Sequence, residues 1–402
     1  MGDARKIKPA ARTRDITYAV RDIVVLAQEV AAGGKQMLYL NIGDPNQFDF
    51  RTPGHIVEAA HRAMENNDNG YAPSSGIPAA REAIEARARQ KGISNVLDIF
   101  ITSGVSEAID VCFTALADAG QNILIPTPGY PLYSAVLNKL GVRPNRYYLD
   151  EGNGWQPDLD DIREKIDPGT RGIVLINPNN PTGSVCTEET LREIILLARE
   201  HGLVIFADEI YDQLVLEQKE HRSVAALDAE APVITFNGLS KAYLVPGWRI
   251  GWGVASGDGE IMGAYLEAVN KLLRARLCAN HPEQYAIAPA LQGDQSHLEE
   301  MKSRLVRRRD LTVNMLNAIE GISCVRPEGA FYAFPRLEIE GTDWDFVRAL
   351  IQETGVVVVP GGGFGQRPGS QHFRVVFLPP EEVLEQAYDQ IGRFMKTYSA
   401  HR

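Results

Sequence analysis

Several short apolar runs in this 402-residue chain end in residues that can do chemistry. Ile173-Val174-Leu175-Ile176 leads into Asn177-Pro178-Asn179-Asn180-Pro181-Thr182-Gly183, and Leu203-Val204-Ile205-Phe206-Ala207 into Asp208-Glu209-Ile210-Tyr211. Val233-Ile234-Thr235-Phe236 leads into Asn237-Gly238-Leu239-Ser240-Lys241, with Arg249 eight residues on, and Ile123-Leu124-Ile125 leads into Pro126-Thr127-Pro128-Gly129-Tyr130. A lysine amine attacks carbonyl groups and serves as a general base once its proton is lost. A guanidinium suits a phosphate or carboxylate, because its planar fork donates two parallel hydrogen bonds. A carboxylate directly after an apolar strand, as at Asp208, is costly unless it is paired. The Asn-Pro-rich segment is ordinary turn chemistry by itself and gains weight from its place after a strand.

These motifs need elements to carry them. The apolar runs are short, continuous and rich in β-branched residues, which predicts fully buried strands. Between two of them Thr187 is a candidate N-cap. Leu191, Ile194, Ile195 and Ala198 then form one helical face, and Gly202 is a stop signal. Ile77, Ala80, Ile84 and Ala88 repeat the pattern, with Gly92 beyond. The alternation predicts an α/β fold, a mostly parallel sheet between helices. Ligands of such sheets bind beyond the carboxyl ends of the strands, so the motifs can share one site. Ile99-Phe100-Ile101 leads into Thr102-Ser103-Gly104-Val105-Ser106-Glu107, which opens a helical run. A helix N-terminus of this kind binds anions.

The chain ends read differently. Residues 1–50 hold one helical stretch and Leu38-Tyr39-Leu40-Asn41-Ile42. The C-terminal part holds a helical stretch over about 297–320, then strands at Gly329-Ala330-Phe331-Tyr332-Ala333-Phe334 and Phe373-Arg374-Val375-Val376-Phe377-Leu378. The expected organisation is a large domain over 51–300 and a smaller α/β domain. The smaller domain combines 1–50, an N-terminal arm, with 301–402. Arg374, flanked by Phe373 and Val375, needs an anionic partner if it points inward.

Composition narrows the function. The net charge is −11 with no basic stripe, so nucleic acid is not an expected partner. Arg307-Arg308-Arg309 reads as a solvated helix face. Cys112, Cys186, Cys278 and Cys324 are widely spaced with no CxxC pair, against a disulfide framework and against a metal site. No apolar run is long enough to span a membrane, and Met1-Gly2-Asp3-Ala4-Arg5 opens no secretory signal, so the expected location is cytoplasmic.

Taken together, the motifs resemble the class I/II aminotransferases, pyridoxal-phosphate enzymes of fold type I. The resemblance rests on Asn177–Gly183, Asp208–Tyr211, Ser240-Lys241 with Arg249, and Arg374, in the family's order over most of the chain. It implies a homodimer that binds pyridoxal 5'-phosphate through Lys241, the catalytic residue. It assigns Asp208 to the pyridinium nitrogen, Tyr211 and Asn180 to the ring oxygen, and Tyr130 to the ring face. Val105, Ser106, Ser240 and Arg249 would hold the phosphate, joined by Tyr71 reaching across to the neighbouring subunit. Arg374 would grip the substrate α-carboxylate, with Asn180 and Gly43 against the substrate. In finer detail Leu40–Gly43, Trp155–Arg163, Phe206–Asp212, Phe236–Lys241 and Leu277–Asn280 are similar to bacterial alanine aminotransferases. There Tyr18 and Arg21 would close over a small substrate. Asp44-Pro45 departs from the Asn-Pro common in that group and leaves the preferred amino acid open. The implied reaction moves an amino group from an L-amino acid, alanine first, to a 2-oxo acid such as 2-oxoglutarate, with ping-pong kinetics. An aspartate or broad-specificity aminotransferase, or a β-lyase using the same cofactor residues, are the alternatives.

Overall fold

The computed structural model describes residues 7–14, 16, 19–217 and 221–400. Eight strands form its main sheet: β1 (Val96–Ser103), β2 (Asn122–Thr127), β3 (Arg143–Asp150), β4 (Gln156–Pro157), β5 (Thr170–Ile176), β6 (Val204–Asp208), β7 (Val233–Gly238) and β8 (Ile250–Ser256). Their spatial order is β1-β8-β7-β6-β5-β2-β3-β4. The block β7, β6, β5, β2 and β3 is parallel throughout. The runs read as buried strands are its members, and β2 and β6 are buried along their whole length. Strand β8 is antiparallel to both β7 and β1, so β1 points the same way as the parallel block. Register then aligns Ser103 at the end of β1 with Ile250, and Gly238 at the end of β7 with Gly251. The residues after β1 and β7 thereby meet those just before β8.

The helices follow the sequence signals closely. Thr187 caps the helix Glu188–His201 by accepting a hydrogen bond from the Thr190 N–H at 3.2 Å, and Gly202 ends it at φ +63°. Leu191, Ile194, Ile195 and Ala198 are all buried. Ile77 is the N-cap of the helix Pro78–Gln90, whose Ala80, Ile84 and Ala88 face the core. One apolar layer packs Ile84, Leu175, Ile194 and Trp252 on one face of the sheet. Another packs Phe100, Phe113, Phe206 and Phe236 on the other.

A third core gathers Ile23, Ala27 and Leu38 with Met301, Leu305, Phe346, Val375 and Tyr388. Strand Leu38–Tyr39 lies parallel to Val356–Val357, tying the two chain ends together. The long helix spans Ser296–Asn317, close to expectation. The C-terminal strands are shorter than read: Tyr332–Ala333 and Phe373–Val376. Ala330 at φ +56° interrupts the extended run before Tyr332.

The arginine triplet corrects the sequence reading. Arg307 is exposed, but Arg308 and Arg309 are 2% and 1% exposed. Arg308 pairs with Asp49 at 2.6 Å and Glu381 at 3.3 Å, and Arg309 with Glu217 at 2.6 Å and Asp310 at 2.8 Å. The helix packs against Glu381–Ala400, so the face carrying these two arginines meets protein, and every acid but the adjacent Asp310 comes from a distant segment. Among the described residues no helix is long and apolar enough to cross a membrane.

Candidate active site

A cavity of about 250 Å³ opens at the carboxyl edge of the parallel strands. Gly43, Val105, Ser106, Tyr130, Asn180, Asp208, Tyr211, Ser240, Lys241, Arg249 and Arg374 all line it. The fold thus brings together eleven candidates drawn from segments as far apart as residues 43 and 374. Tyr71 stands apart on the surface, 83% exposed. Tyr18 lies outside the described residues, and Arg21 is described only as a backbone position of the helix Ala19–Ala32.

One corner is built for an anion. Gly104, at φ +77°, follows β1 and is the N-cap of the helix Val105–Leu116. A Cβ there would come within 2.3 Å of Arg249 Nη2, and a Cβ on Gly251 within 2.4 Å of the Val105 backbone nitrogen. Only glycines let the guanidinium, the two strand ends and the helix N-terminus approach this closely. Arg249 itself sits in the left-handed region at φ +56°, and its Nη1 donates to the Pro246 carbonyl at 3.1 Å. Guanidinium charge, helix dipole and the hydroxyls of Ser106 and Ser240 converge where a phosphate fits.

The opposite wall is acidic. Asp208 ends β6 and is 5% exposed. It accepts from Tyr133 Oη at 2.7 Å and from the Ile210 N–H at 3.3 Å, neither of which neutralises its charge. Burial pushes its carboxyl up to about 6, although these hydrogen bonds pull the other way. Such a group is suited to a cationic ring nitrogen. Behind the same turn Lys91 donates to Glu209 at 2.6 Å and Asp212 at 3.0 Å, and Ser223 Oγ donates to Glu209 at 2.7 Å. Burial works against the Lys91 charge, but the carboxylates of Asp212 and Glu209 outweigh it and raise the pKa. This ion cluster pins the turn that carries Asp208 and Tyr211.

Lys241 lies between these walls, and its Nζ donates to the Gly43 carbonyl at 2.9 Å. Burial lowers its pKa to about 8; Asp44 opposes the shift, while Arg374 and Arg249 add to it. The amine is therefore largely deprotonated in mildly alkaline solution and ready to act as nucleophile or base. Arg374 points inward, 3% exposed. Its Nη1 donates to Asn180 Oδ1 at 3.1 Å and its Nη2 to the Asn41 carbonyl at 2.7 Å. Its guanidinium carbon lies 4.6 Å from the ring centres of both Tyr332 and Phe364.

Sequence reasoning missed Gly104, Tyr133, Lys91, Tyr332 and Phe364. Gly104 carried a signal, a glycine between a strand and a helix. Lys91 carried none, since a lysine just after a helix and before a glycine reads as a solvated terminal charge. Tyr332 and Phe364 look like core aromatics until the strand carrying Arg374 is folded beside them.

The profile of the family "Aminotransferase class I and II" matches residues 35–391. The chain is 40% identical over 401 residues to the glutamate-pyruvate aminotransferase AlaA of Escherichia coli, covering 98% of each protein. It is 40% identical over 405 residues to the alanine aminotransferase of Mycobacterium tuberculosis, covering 98% of this chain and 94% of that protein. Among solved structures, the alanine aminotransferase from Pyrococcus furiosus superimposes with a TM-score of 0.94 at 41% identity, over 97% of this chain and all of that one.

Proposed function

We propose that this chain, which belongs to the class I and II aminotransferases, transfers the amino group of L-alanine to 2-oxoglutarate with pyridoxal 5'-phosphate as its cofactor. The observation that carries this reading is the single cavity in which an anion corner, a buried carboxylate, an amine of lowered pKa and an inward arginine face one another. The cradle fits the cofactor. The close approach that Gly104 and Gly251 permit leaves a phosphate-sized corner, and Asp208 is buried without a neutralising hydrogen-bond partner. The names of the similar bacterial enzymes support alanine and glutamate as the amino-group donors.

When bound, pyridoxal phosphate supplies a ring that withdraws electrons from the substrate α-carbon. The chain's residues do the rest. Arg249, Ser106, Ser240 and the N–H groups at Val105 and Ser106 hold the phosphate. Asp208 keeps a proton on the ring nitrogen, Tyr211 and Asn180 donate hydrogen bonds to the ring oxygen, and Tyr130 covers the ring face. Arg374 holds the α-carboxylate with Asn180 beside it, and Gly43 leaves room for the substrate next to Lys241. Lys241 Nζ would take the proton from the substrate α-carbon and carry it across the substrate nitrogen to the cofactor side. Because the substrate leaves as a 2-oxo acid before the second one enters, turnover is ping-pong.

The exposed Tyr71 suits a residue that completes the phosphate corner of a second copy, so the active unit is a homodimer. Tyr18 and Arg21 would close over the substrate from the N-terminal arm. The large domain over 51–300 and the smaller one from both chain ends belong to the same reading, supported by the core that the two ends share. The cytoplasm is the compartment that fits the scattered cysteines and the substrates.

A half-reaction screen tests this. Purified protein loaded with pyridoxal phosphate is mixed with single amino acids while its visible absorption is followed. The expected result is loss of the band with L-alanine and its recovery with pyruvate. Ammonia release without a recoverable band would replace transamination by a lyase reaction, and conversion by aspartate but not alanine would move the substrate assignment.

A further inference from the structure

Beside the residues just assigned, one aromatic side chain touches both halves of the site. Tyr332, 3% exposed, lies on the two-residue strand Tyr332–Ala333 that pairs antiparallel with Phe373–Val376. Its hydroxyl is 2.9 Å from the Tyr211 hydroxyl, with the two rings at 90°. Its ring face carries the Arg374 guanidinium, which Phe364 covers from a second ring at the same 4.6 Å. A Cβ on Gly43 would fall 2.2 Å from the Tyr332 oxygen, so the substrate-facing segment is packed directly onto this hydroxyl.

Resting on the cofactor and substrate reading above, we propose that Tyr332 is a positioning residue that couples the cofactor side of the site to the carboxylate side. Its O–H polarises Tyr211, and its ring fixes the plane of Arg374. The direction of the hydrogen bond follows from donor accounting. Once Tyr211 gives its one O–H to the ring oxygen of the cofactor, its own oxygen can only accept, and Tyr332 is the donor within reach. A phenol that accepts a hydrogen bond donates more strongly through its own O–H. Electron density would thereby be drawn from the ring oxygen, and a proton held between that oxygen and Lys241 Nζ would leave at lower pH. The ring contact is separate chemistry. A guanidinium between two aromatic faces keeps one plane and loses little rotamer freedom when a carboxylate docks.

The two roles come apart in two variants. Tyr332→Phe keeps the ring and removes the hydroxyl; Tyr332→Leu removes both. In the loaded dimer the midpoint of the visible band's pH titration should rise by about 0.5 pH unit in both variants. The KM for L-alanine should stay within about twofold in Tyr332→Phe and rise about tenfold or more in Tyr332→Leu. An unchanged midpoint in Tyr332→Phe overturns the relay, and an equal KM in the two variants overturns the ring role. Wild-type protein that shows no visible band after loading refutes the cofactor reading instead. The ring role is then read from the thermal stabilisation given by pyruvate, which should persist in Tyr332→Phe and vanish in Tyr332→Leu. Its persistence in both overturns that role.

Discussion

The carboxyl edge of the main sheet and the helix Ser296–Asn317 both bury charge, but to different ends. At the edge, Asp208 and Lys241 face a cavity, and their pKa values are displaced toward neutrality. In the helix, Arg308 and Arg309 face the carboxylates of Asp49, Glu381 and Glu217. Charge that faces a cavity is held in readiness for a ligand, and the fold bears the desolvation cost. Charge that faces opposite charge locks segments together and does no chemistry. Buried charge alone therefore does not mark a site; what matters is whether the protein supplies the partner.

Replacing Lys241 with alanine should have the largest effect on function. We expect kcat to fall by at least about a thousandfold, with the visible band of the loaded protein lost and chemical stability nearly unchanged. Full turnover in this variant would remove the site from the edge of the sheet. Next, Arg308→Met should cost about 2–4 kcal/mol in urea unfolding because Asp49 and Glu381 are left facing an apolar side chain. Arg307→Ala, at an exposed position on the same helix, should stay within about 0.5 kcal/mol. Equal effects at both positions would abolish the contrast between them.

Asp208 gives an effect of opposite sign. Its folded-state pKa, about 6, is raised above the ordinary 3.8. Cofactor-free protein therefore loses stability as pH rises from about 4 through 6, and above that the ionised carboxylate is a constant penalty. Asp208→Asn should stabilise the cofactor-free protein by about 2–3 kcal/mol at pH 7–8, with the gain fading toward pH 4 and activity lost throughout. A variant less stable than wild type at pH 8 would mean that the carboxylate is held for structure, like those of the helix. The smallest effect concerns Lys241. Its pKa of about 8 implies that the rate of cofactor loading rises about tenfold per pH unit below 8 and levels off above it. Stopped-flow absorbance reads this directly, and a rate still climbing steeply at pH 9–10 would place the lysine in an environment like that of a surface amine.

Much of the site was legible because its chemistry demands residue types at fixed local positions. Asp208, Ser240 and Lys241 each follow an apolar run that can only be a buried strand, and parallel strands of one sheet end at one edge. The long helices were legible from their periodicity and caps, as Thr187 and Gly202 show. Lys91 was not, because its carboxylate partners lie more than a hundred residues on and nothing local separates it from a solvated helix terminus. Arg308 and Arg309 failed for the same reason, and the bland reading of a charge run was wrong for two of its three members. Tyr332 and Phe364 looked like packing until Arg374 was seen between them.

The sequence alone determined the strand–helix alternation, the strand ends that carry the reactive groups and the family to which they belong, since each of these is written within a few neighbouring residues. Tertiary structure decided the reversed strand β8 that sets Arg249 against Gly104, the buried ion clusters under the Asp208 turn and beside Asp49, and the aromatic clamp on Arg374. These depend on which distant segments share a surface, and pairing between remote residues leaves no periodicity in the chain for a reader of one sequence to find.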